Sequence, residues 1–169
     1  DLISGNIPFK WQYGSQTSIV TGTDSDFSGA GNWIDWSGGS VAVSAGELQI
    51  TLETGTYSGG QLASVGTNGK KYRVKMDLRS DAGEGDIANV LVGWNVNTPA
   101  DDNISFQKFT VTEAGISADF EVTVKGDGYL RAALETCTGQ IFFIDNVFVY
   151  PLGAVALYDQ SSITANNWF

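Results

Sequence analysis

Apolar and polar residues alternate along most of the chain, which is the pattern of half-buried β-strands. The clearest run is 72–79, where apolar and charged residues alternate without a break. The same period of two occurs at 47–53, 118–124 and 129–135. The run Gln140–Tyr150 is more continuously apolar, which predicts a central strand. No segment has convincing helical spacing, so the pattern predicts an all-β protein.

Turn-forming residues separate these predicted strands. Asn68-Gly69 stands between two strand patterns and predicts a hairpin, because both residues tolerate positive φ. Gly126-Asp127-Gly128 and Thr138-Gly139 separate the last three strands, which predicts an antiparallel meander. Longer polar connections lie at 81–86 and 97–103. About ten short strands at this spacing predict an antiparallel β-sandwich or a β-barrel, of which the all-β sandwich is the preferred interpretation.

Composition narrows the class of protein further. A chain of 169 residues suits one domain with a proper core. Hydrophobic residues make up 42% and aromatic residues 12%, which is enough apolar surface to offset the entropy of ordering. The formal net charge of -10 argues against a nucleic-acid ligand, since such proteins carry basic patches. No apolar run approaches the ~20 residues of a membrane helix, so membrane insertion is not expected.

The sequence offers little to an enzyme. It contains no histidine, which removes the usual general base and every histidine-dependent triad. Cys137 is the only cysteine, so an intrachain disulfide and a thiolate cluster are excluded, and the residue is expected to be a buried or turn thiol. Carboxylates are plentiful, but no recognisable motif singles out a catalytic pair. We therefore expect a protein without catalytic residues.

A series of short motifs resembles a known family. In this order the motifs are similar to the jelly-roll carbohydrate-binding modules attached to cellulases and xylanases, and to their relatives in bacteriophage tail-fibre proteins. The motifs are Asp26-Phe27-Ser28-Gly29, Asn32-Trp33, Gly46–Thr51, Lys71–Ser80 and Gly139–Val147.

The resemblance spans roughly Thr23–Tyr150 and carries several expectations. It implies a two-sheet jelly roll, lectin-like non-catalytic glycan binding on a concave sheet face, and often a structural calcium ion. Residues 23–152 would form this domain. Residues 1–22 would be an N-terminal extension or an extra strand, and residues 153–169 a linker or the start of a further module. The source would be an extracellular protein or a virion surface.

Two arrangements of acidic residues are candidate calcium sites. Asp24, Asp26 and Asp35 follow the oxygen-ligand spacing of a twelve-residue calcium loop, although the flanks are not helical. An ordinary acidic turn has the same composition. The resemblance implies a second arrangement, with Asp145 as a side-chain ligand and the Glu47 region supplying a carbonyl. The modules usually have a glutamate after their early phenylalanine, whereas here Ser28 follows Phe27.

Candidate glycan-binding residues combine aromatic rings with planar polar groups, because sugars present both apolar faces and hydroxyls. Some of these side chains stand in glycine-rich segments, and others lie on the polar face of a predicted strand. The alternative for each is a solvated sheet face, or the core in the case of Trp94. The candidates are Trp36, Tyr57, Arg79, Trp94, Gln107, Tyr129, Arg131 and Glu135.

Two functions of different kinds remain open at this stage. The leading hypothesis is non-catalytic binding to a polysaccharide or a cell-surface glycan, which would mediate adhesion. The alternative is a structural or assembly module of a virion or surface filament, with no sugar ligand. In that case the aromatic residues of the extension, including Trp11, and the Trp168-Phe169 end would contact neighbouring subunits.

Overall fold

The computed structural model of the protein describes residues 9–13, 17–29, 31–53, 55–63 and 65–158. These residues form twelve β-strands, one turn of α-helix and one 3₁₀ turn. The helical turn α1 spans Thr23–Asp26, and the 3₁₀ turn spans Pro99–Asp101. No helix of the described residues has the length and apolar character that crossing a membrane requires.

The strands alternate with short turns and a few longer connections. They are β1 (Phe9–Tyr13), β2 (Trp33–Trp36), β3 (Ser40–Ser44), β4 (Glu47–Thr51), β5 (Gly55–Leu62), β6 (Lys71–Ser80), β7 (Ile87–Gly93), β8 (Phe106–Val111), β9 (Ile116–Thr123), β10 (Leu130–Cys137), β11 (Ile141–Leu152) and β12 (Ala154–Tyr158).

Ten of these strands form two five-stranded sheets. The front sheet has the order β2-β5-β10-β7-β8, and the back sheet has the order β3-β4-β11-β6-β9. Every strand pair in both sheets is antiparallel. The predicted all-β, two-sheet antiparallel sandwich is therefore confirmed.

The core lies between the inner faces of the two sheets. From the front sheet it takes side chains such as Trp33 and Leu134, and from the back sheet Ile50, Val74 and others. On β6 the apolar residues are buried while the charged residues between them are half-buried or exposed. Period-two alternation thus produces one face that packs in the core and one face that meets solvent.

The central position predicted for the run 140–150 is also confirmed. β11 is the middle strand of the back sheet and pairs with β4 on one side and β6 on the other. The register shifts between Asp145 and Phe148, and Asn146 there has a φ of 52°. This irregularity places Asp145 beside a bulge rather than in a regular ladder.

The predicted hairpin and meander are wrong. Asn68-Gly69 does form a tight turn, in which the Lys70 amide donates to the Thr67 carbonyl at 3.0 Å. However, β5 belongs to the front sheet and β6 to the back sheet, so the turn joins strands that do not pair. Likewise β9, β10 and β11 alternate between back, front and back sheets. Turn chemistry predicts a reversal of the chain, but it does not reveal which strand becomes the hydrogen-bonding neighbour.

The two ends of the described chain pair with each other. β1 and β12 form a separate two-stranded antiparallel sheet. β1 falls within the predicted N-terminal extension 1–22, and β12 falls within the predicted linker 153–169. The Trp168-Phe169 end lies outside the described residues.

Candidate functional site

The middle strand of the front sheet has a buried side and a polar side. On β10 the side chains of Leu130, Ala132 and Leu134 enter the core. Since successive residues of a strand point to opposite faces, Arg131 and Glu135 lie on the outer face of the front sheet. The outer face of this central strand therefore carries charged groups in the middle of the sheet.

One row of residues crosses this outer face from edge to edge. Trp36 pairs with Gly59, Gly59 with Ala133, Ala133 with Leu91, and Leu91 with Lys108. Directly opposed residues of an antiparallel pair share a face. The row therefore has a large aromatic residue at one edge, a lysine at the other edge, and small or aliphatic residues between them.

A second, smaller apolar cluster lies on the same outer face. The half-buried rings of Trp36 and Tyr57 pack against it. The cluster consists of Leu91, Val96, Phe106 and Ala133. The rings of Trp36 and Tyr57, both predicted as sugar platforms, are thus held on one surface. We call this surface, which also includes Tyr129, Arg131 and Glu135, the aromatic face.

Arg131 is the centre of the aromatic face. Its guanidinium carbon lies 5.0 Å from the centroid of the Trp36 ring and 5.4 Å from that of the Tyr129 ring. Nη2 donates to Asp127 Oδ2 at 2.6 Å, and Nε donates to Gln61 Oε1 at 3.1 Å. A cation within about 6 Å of an aromatic centroid is attracted to the ring. Arg131 thereby fixes the positions of both rings.

The ion pair of Arg131 with Asp127 holds this arrangement. Burial raises the pKa of Asp127, but the hydrogen bond and charge of Arg131 together with backbone hydrogen bonds outweigh it, so that the pKa of Asp127 is lowered from its ordinary value. Arg131 itself is 8% exposed. A buried guanidinium requires such partners, and the Asp127 carboxylate keeps its charge at neutral pH.

Tyr57 on β5 and Glu135 on β10 form another polar contact of the aromatic face. The Tyr57 hydroxyl donates to Glu135 Oε1 at 3.3 Å. Burial and the nearby Glu135 charge raise the pKa of Tyr57, so the hydroxyl stays protonated and acts as a donor. Tyr57 also has a φ of 53°, which is uncommon for a residue with a side chain and is strained backbone.

Lys108 adds a cation to this side of the aromatic face. Its Nζ lies 3.0 Å from Asp102 Oδ2. The hydrogen bond with Asp102 raises the pKa of Lys108, and the charges of Asp102 and Glu135 add to the effect. The aromatic face therefore presents rings next to fixed donors and acceptors of both signs.

Two glycines set the position of Trp36. A Cβ atom on Gly39 would lie 2.8 Å from the Gly59 carbonyl carbon, and one on Gly59 would lie 2.7 Å from the Ala133 Cα atom. The Gly39 amide also donates to the Trp36 carbonyl at 3.0 Å. The turn between β2 and β3 thus packs directly on β5. Only glycine allows this close approach of the two backbones, because any other residue would add a Cβ atom at the contact. This close approach holds Trp36 at the end of its strand.

Trp94 is not part of the aromatic face. Its side chain is completely buried, and its ring lies 5.6 Å from that of Tyr72 in the main core. The interpretation of Trp94 as a glycan contact is therefore wrong. Trp94 lies two and four residues after Val92 and Val90, which are also core residues. This period of two was the feature of the sequence that indicated a core position for Trp94.

Gln107 and Arg79 also lie elsewhere. Gln107 pairs with Val92, a core residue, so it lies on the inner side of the edge strand β8 and is half-buried there. Arg79 lies on the back sheet, where it forms an ion pair with Glu47 and covers the Phe143 ring at 3.8 Å. The strand pattern marks polar positions, but it does not say which sheet a strand joins. Neither residue can act together with Trp36.

The first candidate calcium arrangement consists of residues that are engaged with their own neighbours. Asp24 accepts from the Asn32 amide group at 2.8 Å, and Asp35 accepts from the Val41 amide at 2.8 Å. Hydrogen bonds from Ser28 lower the pKa of Asp26. In the part of the chain that the structure describes, no group of three or more acidic, cysteine or histidine side chains is arranged to hold a metal ion. The structure does not bring these three aspartates together as ligands.

The second arrangement lies at a hollow of about 400 Å³ on the back sheet. Burial raises the pKa of Asp145, and the charges of Glu47, Asp77 and Asp26 raise it further. Glu47 is already paired with Arg79, and Asp77 accepts from Asn146 at 2.9 Å. As they stand, these carboxylates do not fit a calcium ion. Calcium stays a prediction from the resemblance.

Two polar residues of the aromatic face were not predicted from the sequence. Asp127 stands in the Gly126-Asp127-Gly128 turn, four residues before Arg131, and that spacing was its only signal. Lys108 lies on an edge strand whose register could not be read from the pattern. Both residues act on side chains that were predicted, namely Arg131 and Glu135.

The fold is similar to that of solved carbohydrate-binding modules. The CBM22-1 xylan-binding domain from Paenibacillus barcinonensis Xyn10C is 14% identical, with a TM-score of 0.57 over 78% of this chain and 94% of that one. A carbohydrate-binding module of family 29 is 16% identical, with a TM-score of 0.50 over 84% of this chain and 89% of that one.

An enzyme shares the fold over a smaller part of its length. The arabinose-bound MgGH51 α-L-arabinofuranosidase is 11% identical, with a TM-score of 0.52 over 88% of this chain but only 27% of that one. No protein-family model matches the sequence, and no curated protein matches it either. At these identities the comparisons establish one conclusion: the chain has the jelly-roll fold of carbohydrate-binding modules.

Proposed function

We propose that the protein is a non-catalytic carbohydrate-binding module whose glycan site is the aromatic face. The observation that carries the proposal is the arrangement of Arg131 between Trp36 and Tyr129, with the Asp127 and Gln61 side chains holding the guanidinium. Sugar rings bind to flat aromatic surfaces beside fixed polar groups. Both features are present here on one sheet face.

The residues of the aromatic face divide the work of binding. Sugar rings stack on Trp36 and Tyr129, while Glu135 orients hydroxyls. Arg131 is assigned to positioning the two rings, because its side chain is buried and three of its five N–H groups donate to Asp127 and Gln61. No step of bond breaking is assigned to any of these residues, so the protein is proposed to bind without catalysis.

The fold supports a polysaccharide ligand. The solved xylan-binding domain has the same sandwich, and this likeness suggests a polysaccharide or cell-surface glycan as the partner. Shallow sites of this kind bind weakly one at a time, so useful adhesion would come from several copies acting together. The protein would act outside a cell or on a virion surface, where such glycans occur.

A glycan array tests this proposal, with one run in calcium and another in EDTA. We expect selective binding to a small set of related glycans. No binding by a well-folded protein in either condition would overturn the proposal. Loss of binding in EDTA would support the calcium prediction, whereas unchanged binding would remove calcium from the account.

The alternative function is a structural or assembly module of a virion or filament. The observation that favours it is the two-stranded sheet of β1 and β12, which is separate from the two large sheets. A two-stranded sheet is marginally stable in water without further packing, so a neighbouring subunit could complete it. Light scattering coupled to gel filtration distinguishes the two: a trimer or larger assembly favours this function, and a monomer favours the free binding module.

A further inference from the structure

The long connection between β7 and β8 reaches over the aromatic face. Residues 94–105 join the two strands, and we call this segment the 94–105 loop. Val96 in this loop is 1% exposed and packs with Leu91, Phe106 and Ala133 on the outer face of the front sheet. The loop therefore covers the outer face at β7 and β8. It forms a wall beside the uncovered part of the aromatic face, which contains Trp36.

Asp101 holds the loop together. It is 6% exposed, and its carboxylate accepts from Asn95 Nδ2 at 2.5 Å and from Lys125 Nζ. Its backbone carbonyl accepts from the amides of Ile104 and Ser105, each at 2.9 Å. One residue thus connects the beginning of the loop, its end and a lysine outside it.

Lys125 lies on the connection between β9 and β10, so its contact ties the loop to another part of the sandwich. Exposed ion pairs contribute little to stability. This pair differs because the Asp101 side chain is only 9% exposed, while that of Lys125 is 42% exposed. Removing the lysine would leave a largely buried carboxylate with one partner fewer, which is costly.

The next residue makes a second tie in another direction. Asp102 contacts Lys108 on β8, and the Lys108 charge acts on both Glu135 and Tyr57 of the aromatic face. Two consecutive aspartates therefore fix the loop, one to the β9–β10 connection and one to the edge of the aromatic face. A displacement of the loop at Asp101 would also move the partner of Lys108.

We propose that the 94–105 loop is the specificity wall of the glycan site, and that the Asp101–Lys125 pair is the latch that positions it. This inference rests on the proposed function. Because Val96 packs on the outer face with Leu91 and Ala133, the loop bounds the aromatic face on its β7–β8 side, so an unbranched glycan chain passes beside it and a sugar side branch on that side meets it. Asp101 and Lys125 are positioning residues and do not contact the ligand.

The test compares dissociation constants for a matched pair of oligosaccharides, one unbranched and one branched. Asp101→Asn and Lys125→Met break the latch, whereas Lys125→Arg keeps a cation at the same place. Lys75→Met is the control, because Lys75 forms an exposed ion pair with Asp119 on the back sheet at 3.3 Å. Hydrogen exchange at the amides of Ile104 and Ser105 reports separately on the loop.

The wild-type protein is expected to prefer the unbranched chain. In the two latch variants the ratio of the dissociation constants for the branched and unbranched chains should fall by about tenfold, which corresponds to about 1.4 kcal/mol. Exchange in the loop should rise in the same variants, while Lys125→Arg and Lys75→Met keep wild-type values. Wild-type preference in both latch variants would overturn the latch alone. Equal affinity of the wild-type protein for both chains would overturn the wall. A wild-type protein that binds no glycan would overturn the proposed function and this inference with it.

Discussion

Arg131 shows how one side chain can organise a surface without binding the ligand itself. Its alternation with core residues on β10 places it on the outer face, and Asp127 then pairs with the buried guanidinium. The guanidinium is planar, so it can contact the rings of Trp36 and Tyr129 and donate hydrogen bonds at its edges at the same time. An ammonium group has no such plane.

Arg131→Lys should therefore weaken both glycan binding and the fold. Lysine keeps the charge but loses the stacked contacts and the two-nitrogen contact with Asp127. We expect a loss of about 1–2 kcal/mol in the free energy of unfolding and about tenfold weaker binding. Chemical denaturation and titration calorimetry measure the two effects. Wild-type affinity in Arg131→Lys would contradict the role assigned to the guanidinium.

Asp145 is a residue whose charge works against the fold. Burial and then the neighbouring charges of Glu47, Asp77 and Asp26 raise its pKa above the ordinary value of 3.8. A raised carboxyl pKa stabilises the fold below the ordinary value, and this stabilisation is lost as the pH rises through the folded pKa. In EDTA, Asp145→Asn should therefore raise the melting temperature at pH 7.

The same variant should bring no gain at about pH 2.5, well below the ordinary value of 3.8, where the wild-type carboxyl is protonated in both folded and unfolded chains. Thermal unfolding at the two pH values measures the difference. If Asp145→Asn lowers the melting temperature at pH 7, the carboxylate is a needed partner. If calcium raises the melting temperature of the wild type but not that of Asp145→Asn, that partner is the ion.

At the residue scale, the sequence predicted the kind of side chain better than its location. Trp36, Tyr57, Tyr129, Arg131 and Glu135 do share one surface, and Trp36 and Tyr57 are partly held there by an apolar cluster. The three misplaced candidates were Arg79, Trp94 and Gln107. Alternation says that a residue changes sides at each step, but the side that becomes the core depends on the partner strand.

At the scale of elements, the strands were predictable and their partners were not. The runs 72–79, 118–124 and 129–135 correspond closely to β6, β9 and β10. Yet β9 and β10 pair in different sheets, although a glycine-containing turn joins them. Crossing between sheets buries both inner faces at once, and this gain belongs to the whole sandwich rather than to any local segment.

Close packing of the β2–β3 turn on β5 gives a prediction at this scale. Gly39→Ala should cost about 1–3 kcal/mol of stability, because the new Cβ atom would lie 2.8 Å from the Gly59 carbonyl carbon on β5. Glycan binding should weaken too, since the shift propagates to Trp36. Denaturant unfolding and calorimetry measure both effects.

The matched control is Gly153→Ala. Nothing lies within 4 Å of a Cβ atom at Gly153, so this variant should unfold and bind like the wild type. If Gly39→Ala kept wild-type stability, the turn would not be packed on β5 as the structure shows, and the positioning of Trp36 would need another cause.

At the scale of the whole molecule, the two outer faces have different chemistry. The aromatic face combines rings with a few fixed polar groups. The back sheet instead carries cross-strand ion pairs, such as Arg73 with Asp119 at 2.7 Å and Lys71 with Glu121 at 2.8 Å. The back sheet also has a stacked pair of rings, Phe148 and Tyr150, at 6.3 Å. The front sheet is the side proposed for glycan binding because its rings border an apolar cluster on the outer face, and the back sheet supplies an internal control.

The most direct test of this account is calorimetric titration with the best-bound glycan from the array. The proteins compared are the wild type, Trp36→Ala, Tyr129→Ala and, as the back-sheet control, Tyr150→Ala. The account predicts at least about tenfold weaker binding for Trp36→Ala and Tyr129→Ala, with folded protein in every case and wild-type affinity for Tyr150→Ala. Unchanged affinity in both front-sheet variants, or loss of binding in Tyr150→Ala alone, would contradict the aromatic face as the glycan site.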